Sequence, residues 1–177
     1  MTSSISSRDR ILTLAVEVQI AAADASLPSQ RQLSDWALAA WQEEGVRDAE
    51  VVVRVTDEAE SRRLNHEFRG RDNATNVLSF PFDPVPEIDL NHVGDLVICA
   101  PVVAREAVEQ GKQADAHWAH MVVHGMLHLQ GYDHETDEQA AEMETLETQV
   151  LTGLGYPAPY AEERGASGTS EKSGGRG

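Results

Sequence analysis

The segment HGMLHLQGYDH, residues 124–134, contains three histidines spaced four and then six residues apart. The first two fall in a stretch of helical periodicity. On a helix, residues four apart lie on one face about 6 Å apart along the axis, so His124 and His128 can point at a common atom. Gly131 lies where the helix would end, and a glycine there can turn the chain back toward that atom with His134. The segment therefore predicts a metal site at the end of a central helix.

Two further histidines, His117 and His120, lie on the same predicted helix face. His120 and His128 would be about 12 Å apart along the axis, which is too far for one ion with ligands about 2 Å away. At most two neighbours on this face can share an ion. We prefer His124 and His128 because only this pair is followed by a glycine turn and another histidine. His117 and His120 are then expected to pack, to support the ligands or to face the substrate.

Three histidine ligands indicate a catalytic metal rather than a structural one. Neutral imidazole suits zinc best, with nickel, copper or iron as alternatives. The single cysteine excludes the usual thiolate-rich structural sites. Three protein ligands also leave a fourth position for water, which ionises near pH ~7 when bound to zinc. We predict one zinc ion per chain.

Length and composition favour one globular domain in residues 1–160, followed by a disordered Gly/Ser-rich tail in 161–177. The net charge of -16 disfavours a protein that coats nucleic acid non-specifically, so any contact with nucleic acid is expected to be local. The lone Cys99 in an apolar run, together with the absence of a recognisable signal peptide or membrane span, favours a cytoplasmic protein that does not contact membranes.

Hydrophobic periodicity predicts an α+β fold in which a small mixed sheet packs with helices. The predicted strands are residues 12–20, 49–55, 75–82 and 94–100. The predicted helices are residues 27–45, 57–68, 101–111 and 114–130, and a last helix that starts at a capping box formed by Thr136 and Gln139. Gly45 is expected to end the first helix. The strand TNVLSFPF, residues 75–82, is a candidate edge strand that could bind an extended substrate.

The spacing H-x-x-x-H-x-x-G-x-x-H is also that of the metzincin peptidases. Those enzymes carry a glutamate as general base directly after the first histidine, whereas this chain has Gly125 there. A zinc peptidase is therefore the less favoured alternative.

Four motifs occur together in this chain: HWAHMVVHGMLHLQGYDH, LNHEFRGRDNATNVLSFPF, VGDLVICAP, and EMETLE followed by GLGYPAPY. With them the sequence resembles the YbeY endoribonucleases, the rRNA maturation factors of bacteria, over about residues 51–160. The resemblance implies that His124, His128 and His134 bind zinc and that Arg69 works in the active site. It also implies cleavage of single-stranded RNA, formation of the 3′ end of small-subunit ribosomal RNA, and ribosome quality control.

Charge chemistry agrees with a role for Arg69, because a guanidinium can hold two oxygens of a phosphodiester that gains negative charge under attack. Arg69 is expected to begin a loop after a helix. Arg62, Arg63 and Arg71 lie nearby among interspersed acids. They form either a mixed solvated face or a local contact surface for RNA, and the sequence leaves both open.

Seven acids and no lysine or arginine occur in residues 133–147. We expect a solvated helix face here, with Met143 and Leu146 turned inward. A docking surface for a basic protein of the small ribosomal subunit is the alternative. It would suit a different function, a metal-binding ribosome assembly factor with little cleavage of its own. Asp133 is a candidate to orient a ligand imidazole.

Overall fold

The computed structural model describes residues 13–23, 26–43, 45, 48–82 and 91–160. Within these ranges the chain forms five helices and one four-stranded mixed sheet, which confirms the predicted α+β fold class. The predicted tail, residues 161–177, and the start of the first predicted strand lie outside the described residues. None of the helices within the described ranges is long and apolar enough to cross a bilayer.

The elements follow one another in mixed order. They are β1 Leu14–Ile20, α1 Gln30–Ala39, β2 Ala49–Thr56, α2 Glu58–Arg69, β3 Val77–Pro81, β4 His92–Cys99, α3 Ala100–Glu109, α4 Ala114–Leu129 and α5 Asp137–Gly153. The predicted capping box of α5, formed by Thr136 and Gln139, is present. At the start of α2 the Asp57 side chain accepts from the backbone N–H of Glu60.

The sheet has the strand order β1-β2-β4-β3. β1 runs parallel to β2 and β2 parallel to β4, whereas β3 runs antiparallel to β4. β3 is therefore an edge strand, as the sequence suggested. Its last residue is Pro81. Proline has no backbone N–H to donate to a second neighbouring strand, and at an edge no such strand is present.

Alternate residues of the central strands form the core on one face of the sheet. In β2 the side chains of Val51, Val53 and Val55 are at most 1% exposed, because successive side chains of a strand point to opposite faces. The helix α4 packs over this face and also contacts α1, α3 and α5. It is the central helix of the fold, and its C-terminal end carries the histidine segment.

Gly125 allows α4 to approach the sheet closely. A Cβ atom at this position would lie 2.7 Å from Cδ2 of Leu96 and 3.2 Å from Cγ2 of Val77. A larger side chain would push the helix away from β3 and β4, since interiors are packed without spare volume. Gly125 thus sets the distance between the histidine helix and the edge strand.

The prediction that α1 extends to Gly45 is wrong. α1 ends at Ala39, because the side chain of Gln130, at the end of α4, forms hydrogen bonds with the backbone directly after α1. The Gln130 amide donates to the carbonyl of Ala40 at 3.0 Å and accepts from the backbone N–H of Gln42 at 2.8 Å. Trp41 then turns into the core and is 5% exposed. Tertiary contacts here override a local glycine signal.

Gln130→Ala should lower the free energy of unfolding by about 1–2 kcal/mol, because it removes a partly buried hydrogen bond to the carbonyl of Ala40 and an exposed one from the N–H of Gln42. Urea unfolding followed by circular dichroism measures the change. The matched control is Gln149→Ala, which changes an exposed side chain on α5 and should shift stability by less than about 0.5 kcal/mol. Equal stability of the two variants would contradict the capping role of Gln130.

Candidate metal centre

Three histidines meet at the C-terminal end of α4. His124 and His128 lie in its last two turns, and the Gly131 φ of 100° turns the chain back toward them. His134 follows that turn, and one ring nitrogen of each histidine lies within 4.8 Å of the others. The structure therefore brings together the three residues that the sequence singled out, by the turn that it predicted.

The donor set suits a metal ion. Three imidazoles that converge from one helix and its following turn resemble the three-ligand arrangement of catalytic zinc sites. Burial and the neighbouring rings of His124 and His134 lower the pKa of His128, which favours the neutral, metal-binding form of its imidazole. The three histidines could bind a metal.

A buried carboxylate fixes the orientation of the first histidine. Glu147 is 0% exposed, and its Oε2 lies 2.5 Å from Nδ1 of His124. Its Oε1 lies 3.2 Å from Nε2 of His120 and accepts a hydrogen bond from the Tyr160 hydroxyl. Because an ionised carboxylate only accepts, Nδ1 of His124 carries the proton, and Nε2 is left for the metal.

The environment keeps Glu147 ionised. Burial by itself would raise the pKa of this carboxyl, since a charged group is poorly solvated in the interior. Hydrogen bonds from His120, His124 and Tyr160 outweigh burial and hold the pKa at about 2. The carboxylate is therefore ionised at neutral pH and accepts from His124.

The expectation that the acidic residues of α5 form a solvated face is wrong for Glu147. α5 packs its Met143, Glu147 and Leu151 against the core, and they are 2%, 0% and 1% exposed. These residues are four apart, so they form one helix face. The position of Glu147 midway between two apolar residues of that face was the available signal. The prediction for Met143 is confirmed, and Leu146 is half-buried.

The two remaining histidines of α4 belong to two different hydrogen-bonded groups beside the site. His120 contacts the Glu147 carboxylate that holds His124. His117 belongs to a second group, in which its Nε2 lies 2.9 Å from Glu106. Glu106 also accepts from the side-chain amide of Asn76 at 3.1 Å. Since Asn76 directly precedes β3, this second group holds the start of the edge strand beside the histidine helix.

A cleft of about 710 Å³ opens in front of the histidines. β3 forms one wall, and Tyr132 and Tyr160 also line it. Arg69 lies in the same cleft, where its guanidinium donates to the carbonyl of Ser79 at 2.7 Å and lies 5.0 Å from the centroid of the Phe80 ring. Arg69 ends α2 rather than beginning the loop, which corrects the sequence expectation, and Gly70 caps the helix with a φ of 71°.

The arginines that the sequence offered as RNA contacts lie outside this cleft. Within the part of the chain that the structure describes, Arg62, Arg63 and Arg71 do not line the cleft. The Arg62 guanidinium pairs with Asp72 at 2.7 Å, and Arg63 and Arg71 are exposed. Asp133 lines the cleft, and its carboxylate accepts from the backbone N–H of His134 at 2.8 Å, so its hydrogen bond is to the turn rather than to an imidazole.

The residue after His124 faces the sheet rather than the cleft. Gly125 lies against Leu96 and Val77, where a glutamate side chain has no room. This packing explains why the chain lacks the general base of the metzincin peptidases at that position.

Comparison with known proteins identifies the family. The family model described as Endoribonuclease YbeY matches residues 17–155, most of the chain. The chain belongs to the YbeY endoribonuclease family. This membership makes it a hydrolase that acts on RNA in ribosomal RNA processing, and it confirms the resemblance seen in the sequence. The peptidase alternative is set aside.

A solved structure shows the same fold. The chain is similar to TM1509 from Thermotoga maritima, known from its solution structure, with 26% sequence identity and a TM-score of 0.54. The match covers 91% of this chain and 99% of the other chain. The α+β architecture described above is therefore shared with a second protein across nearly its full length.

Glu147→Gln should weaken metal binding about 10- to 100-fold. The neutral amide is a weaker acceptor than the carboxylate, so it no longer holds the Nδ1–H of the His124 ring in place. Competition with a chromophoric chelator measures the affinity. The matched control is Glu142→Gln, which makes the same change at an exposed position of α5 and should leave the affinity unaltered. Equal affinities of the two variants would show that Glu147 does not support the site.

Proposed function

We propose that this YbeY family member is a zinc-dependent endoribonuclease that cleaves single-stranded RNA in the cleft between β3 and the end of α4. One observation carries the proposal. A cluster of three imidazoles and an arginine converge on the same cleft, so that a phosphodiester could contact both. We further propose that the activity resides in one domain, residues 1–160, and that the enzyme acts in the cytoplasm.

The proposed roles follow from the chemistry of each group. Zinc held by His124, His128 and His134 would supply an activated water and a positive charge. Glu147 keeps the His124 ring turned toward the ion by accepting from Nδ1.

Arg69 is proposed to stabilise the charge that develops on the phosphate. Its two contacts to protein, with the carbonyls of Ser79 and Phe68, use one N–H on each terminal nitrogen. A guanidinium carries five N–H donors, so others remain for phosphate oxygens. Holding the group against Ser79 and Phe80 also reduces the entropy that would be lost when it binds substrate.

Selectivity for single strands fits the position of the site. The reacting phosphate must enter a recess between a strand edge and a helix end, and an unpaired strand can splay its bases to reach it. The chain's net charge of -16 repels RNA elsewhere, so binding should depend on the cleft. Arg63 and Arg71 are exposed and remain proposed contacts for RNA outside the cleft, whereas Arg62 is held by Asp72.

The proposed setting is the small ribosomal subunit, with maturation of the 3′ end of its RNA and ribosome quality control as the tasks. The exposed acids of α5, among them Asp137, Glu138 and Glu142, support docking to basic ribosomal proteins. The same surface favours the alternative of an assembly factor with little cleavage. The two candidates differ in whether the metal is needed for RNA cleavage.

Arg69→Ala should lower kcat/KM for a labelled single-stranded RNA about 100- to 1,000-fold, as when a preorganised charge-stabilising donor is removed. Metal content, measured by mass spectrometry, should stay unchanged. Arg31→Ala is the matched control, since the Arg31 side chain is 89% exposed on α1, where it pairs with Asp35 at 3.8 Å. Cleavage by Arg69→Ala at the control rate would remove Arg69 from the mechanism.

Metal removal by a chelator should abolish cleavage of single-stranded RNA, and added zinc should restore it. The fully paired duplex of the same sequence should be cleaved far more slowly than the single strand. Cleavage that persists without metal would contradict the proposal. A protein that binds stoichiometric zinc but does not cleave RNA would favour the assembly factor.

A further inference from the structure

The outer edge of β3 faces the cleft with its backbone. The backbone N–H of Cys99 donates to the carbonyl of Asn76 at 2.9 Å, and that of Phe82 donates to Val93 at 2.9 Å. In an antiparallel pair, alternate residues direct their N–H and C=O groups toward the partner strand. The residues between them, Val77, Ser79 and Pro81, therefore direct theirs away from β4.

Two polar groups of this free edge are already occupied, and at Pro81 the N–H is missing. The N–H of Val77 donates to the side chain of Asn76 at 2.6 Å. The carbonyl of Ser79 accepts from Arg69 at 2.7 Å, and Pro81 has no N–H. From the described part of the chain, no hydrogen bond reaches the carbonyl of Val77 or the N–H of Ser79. The carbonyl of Pro81 likewise accepts no hydrogen bond from the described residues. Two acceptors and one donor therefore remain. The Val77 carbonyl and the Ser79 N–H form a neighbouring acceptor–donor pair, two residues apart on the same side of the strand, whereas the Pro81 carbonyl lies beyond the occupied carbonyl of Ser79.

We propose that the Val77 carbonyl and the Ser79 N–H form a subsite for one nucleobase of the RNA strand, read through its Watson–Crick edge. Each RNA base has a donor and an acceptor side by side on that edge, and bases of single strands are recognised there. The inference rests on the proposed function and deepens it, because it assigns a base contact to a cleft so far described by its phosphate chemistry.

The location of this pair suits a base next to the reacting phosphate. Arg69 connects the proposed base subsite with the proposed phosphate site, since its guanidinium contacts Ser79 and also lies in the histidine cleft. Ser79 is also tied to the histidine helix, because its hydroxyl donates to the carbonyl of Gly125 at 3.3 Å. A nucleotide with its phosphate at Arg69 would thus have its base within reach of β3.

The same edge is poorly suited to a peptide. An added peptide strand needs successive N–H and C=O groups along the edge it joins. Here Asn76 and Arg69 occupy two of the groups and Pro81 lacks an N–H, so the edge offers one donor at Ser79, a neighbouring acceptor at Val77 and a separate acceptor at Pro81. Interrupted edges of this kind prevent strand addition. One planar base requires no more than the neighbouring pair at Val77 and Ser79.

The first test changes the substrate and keeps the metal-loaded wild-type protein. Short RNAs carry, at one position at a time, a base methylated on its Watson–Crick edge, which preserves stacking but blocks the hydrogen bonds. Fluorescence anisotropy gives binding, and single-turnover cleavage gives the half-saturating concentration. We expect about tenfold weaker binding at one position near the cut, the loss typical of one base contact. Equal effects at all positions would overturn the subsite.

The second test changes the protein. Ser79→Pro removes the N–H at a position that gives no bond to β4, and Ser79→Ala removes only the hydroxyl. The penalty for the methylated base should disappear in Ser79→Pro and persist in Ser79→Ala. Metal content and circular dichroism verify that both variants fold. A penalty that persists in Ser79→Pro would contradict the proposal.

Two further outcomes separate the possible failures. If unmodified RNA is neither bound nor cleaved, the proposed function fails and the subsite fails with it. If RNA is cleaved without any position-specific penalty, only the subsite fails. A blocked extended hexapeptide is included as competitor. If the hexapeptide displaces RNA from the wild type but not from Ser79→Pro, and if no methylated base weakens binding, the edge binds peptide instead and the proposal is overturned.

Discussion

The contact between the buried Glu147 carboxylate and the His124 imidazole is the constraint on which the site depends. A carboxylate without exposed surface is costly to bury unless several donors satisfy it. His120, His124 and Tyr160 provide those donors from α4 and the segment after α5. One interaction therefore joins two helices, fixes the proton on Nδ1 of His124, and leaves the other ring nitrogen to face the cleft. The fold and the candidate metal centre share this contact.

Close packing then determines what the histidines face. Gly125 lets α4 descend onto the sheet, which brings the end of the helix beside the edge strand β3. The edge holds Arg69 through the carbonyl of Ser79, so the cation and the imidazoles open onto one cleft. An acidic protein thereby presents a cleft with a cationic group at its wall. Under the proposed function, recognition of RNA would be concentrated where the chemistry takes place.

The features that the sequence predicted correctly are those that depend on residues close together in the chain. The spacing of His124 and His128 and the turn at Gly131 are set within a few residues, and the structure reproduces the predicted arrangement. Contacts between distant elements were missed. Glu147 looked like one more acid of a solvated helix, and Gln130 gave no sign that it would end α1. The role of Arg69 was implied by family resemblance alone, because no local pattern predicts that the end of α2 meets β3.

X-ray absorption of the purified protein identifies the bound metal from the energy of its absorption edge and reports the type, number and distance of its ligands. We expect about one zinc ion per chain, with three imidazole nitrogens at about 2.0–2.1 Å and one further light-atom ligand that substrate can replace. Scattering from sulfur, or from fewer than three imidazoles, would contradict a centre built by His124, His128 and His134. So would a closed set of four protein ligands.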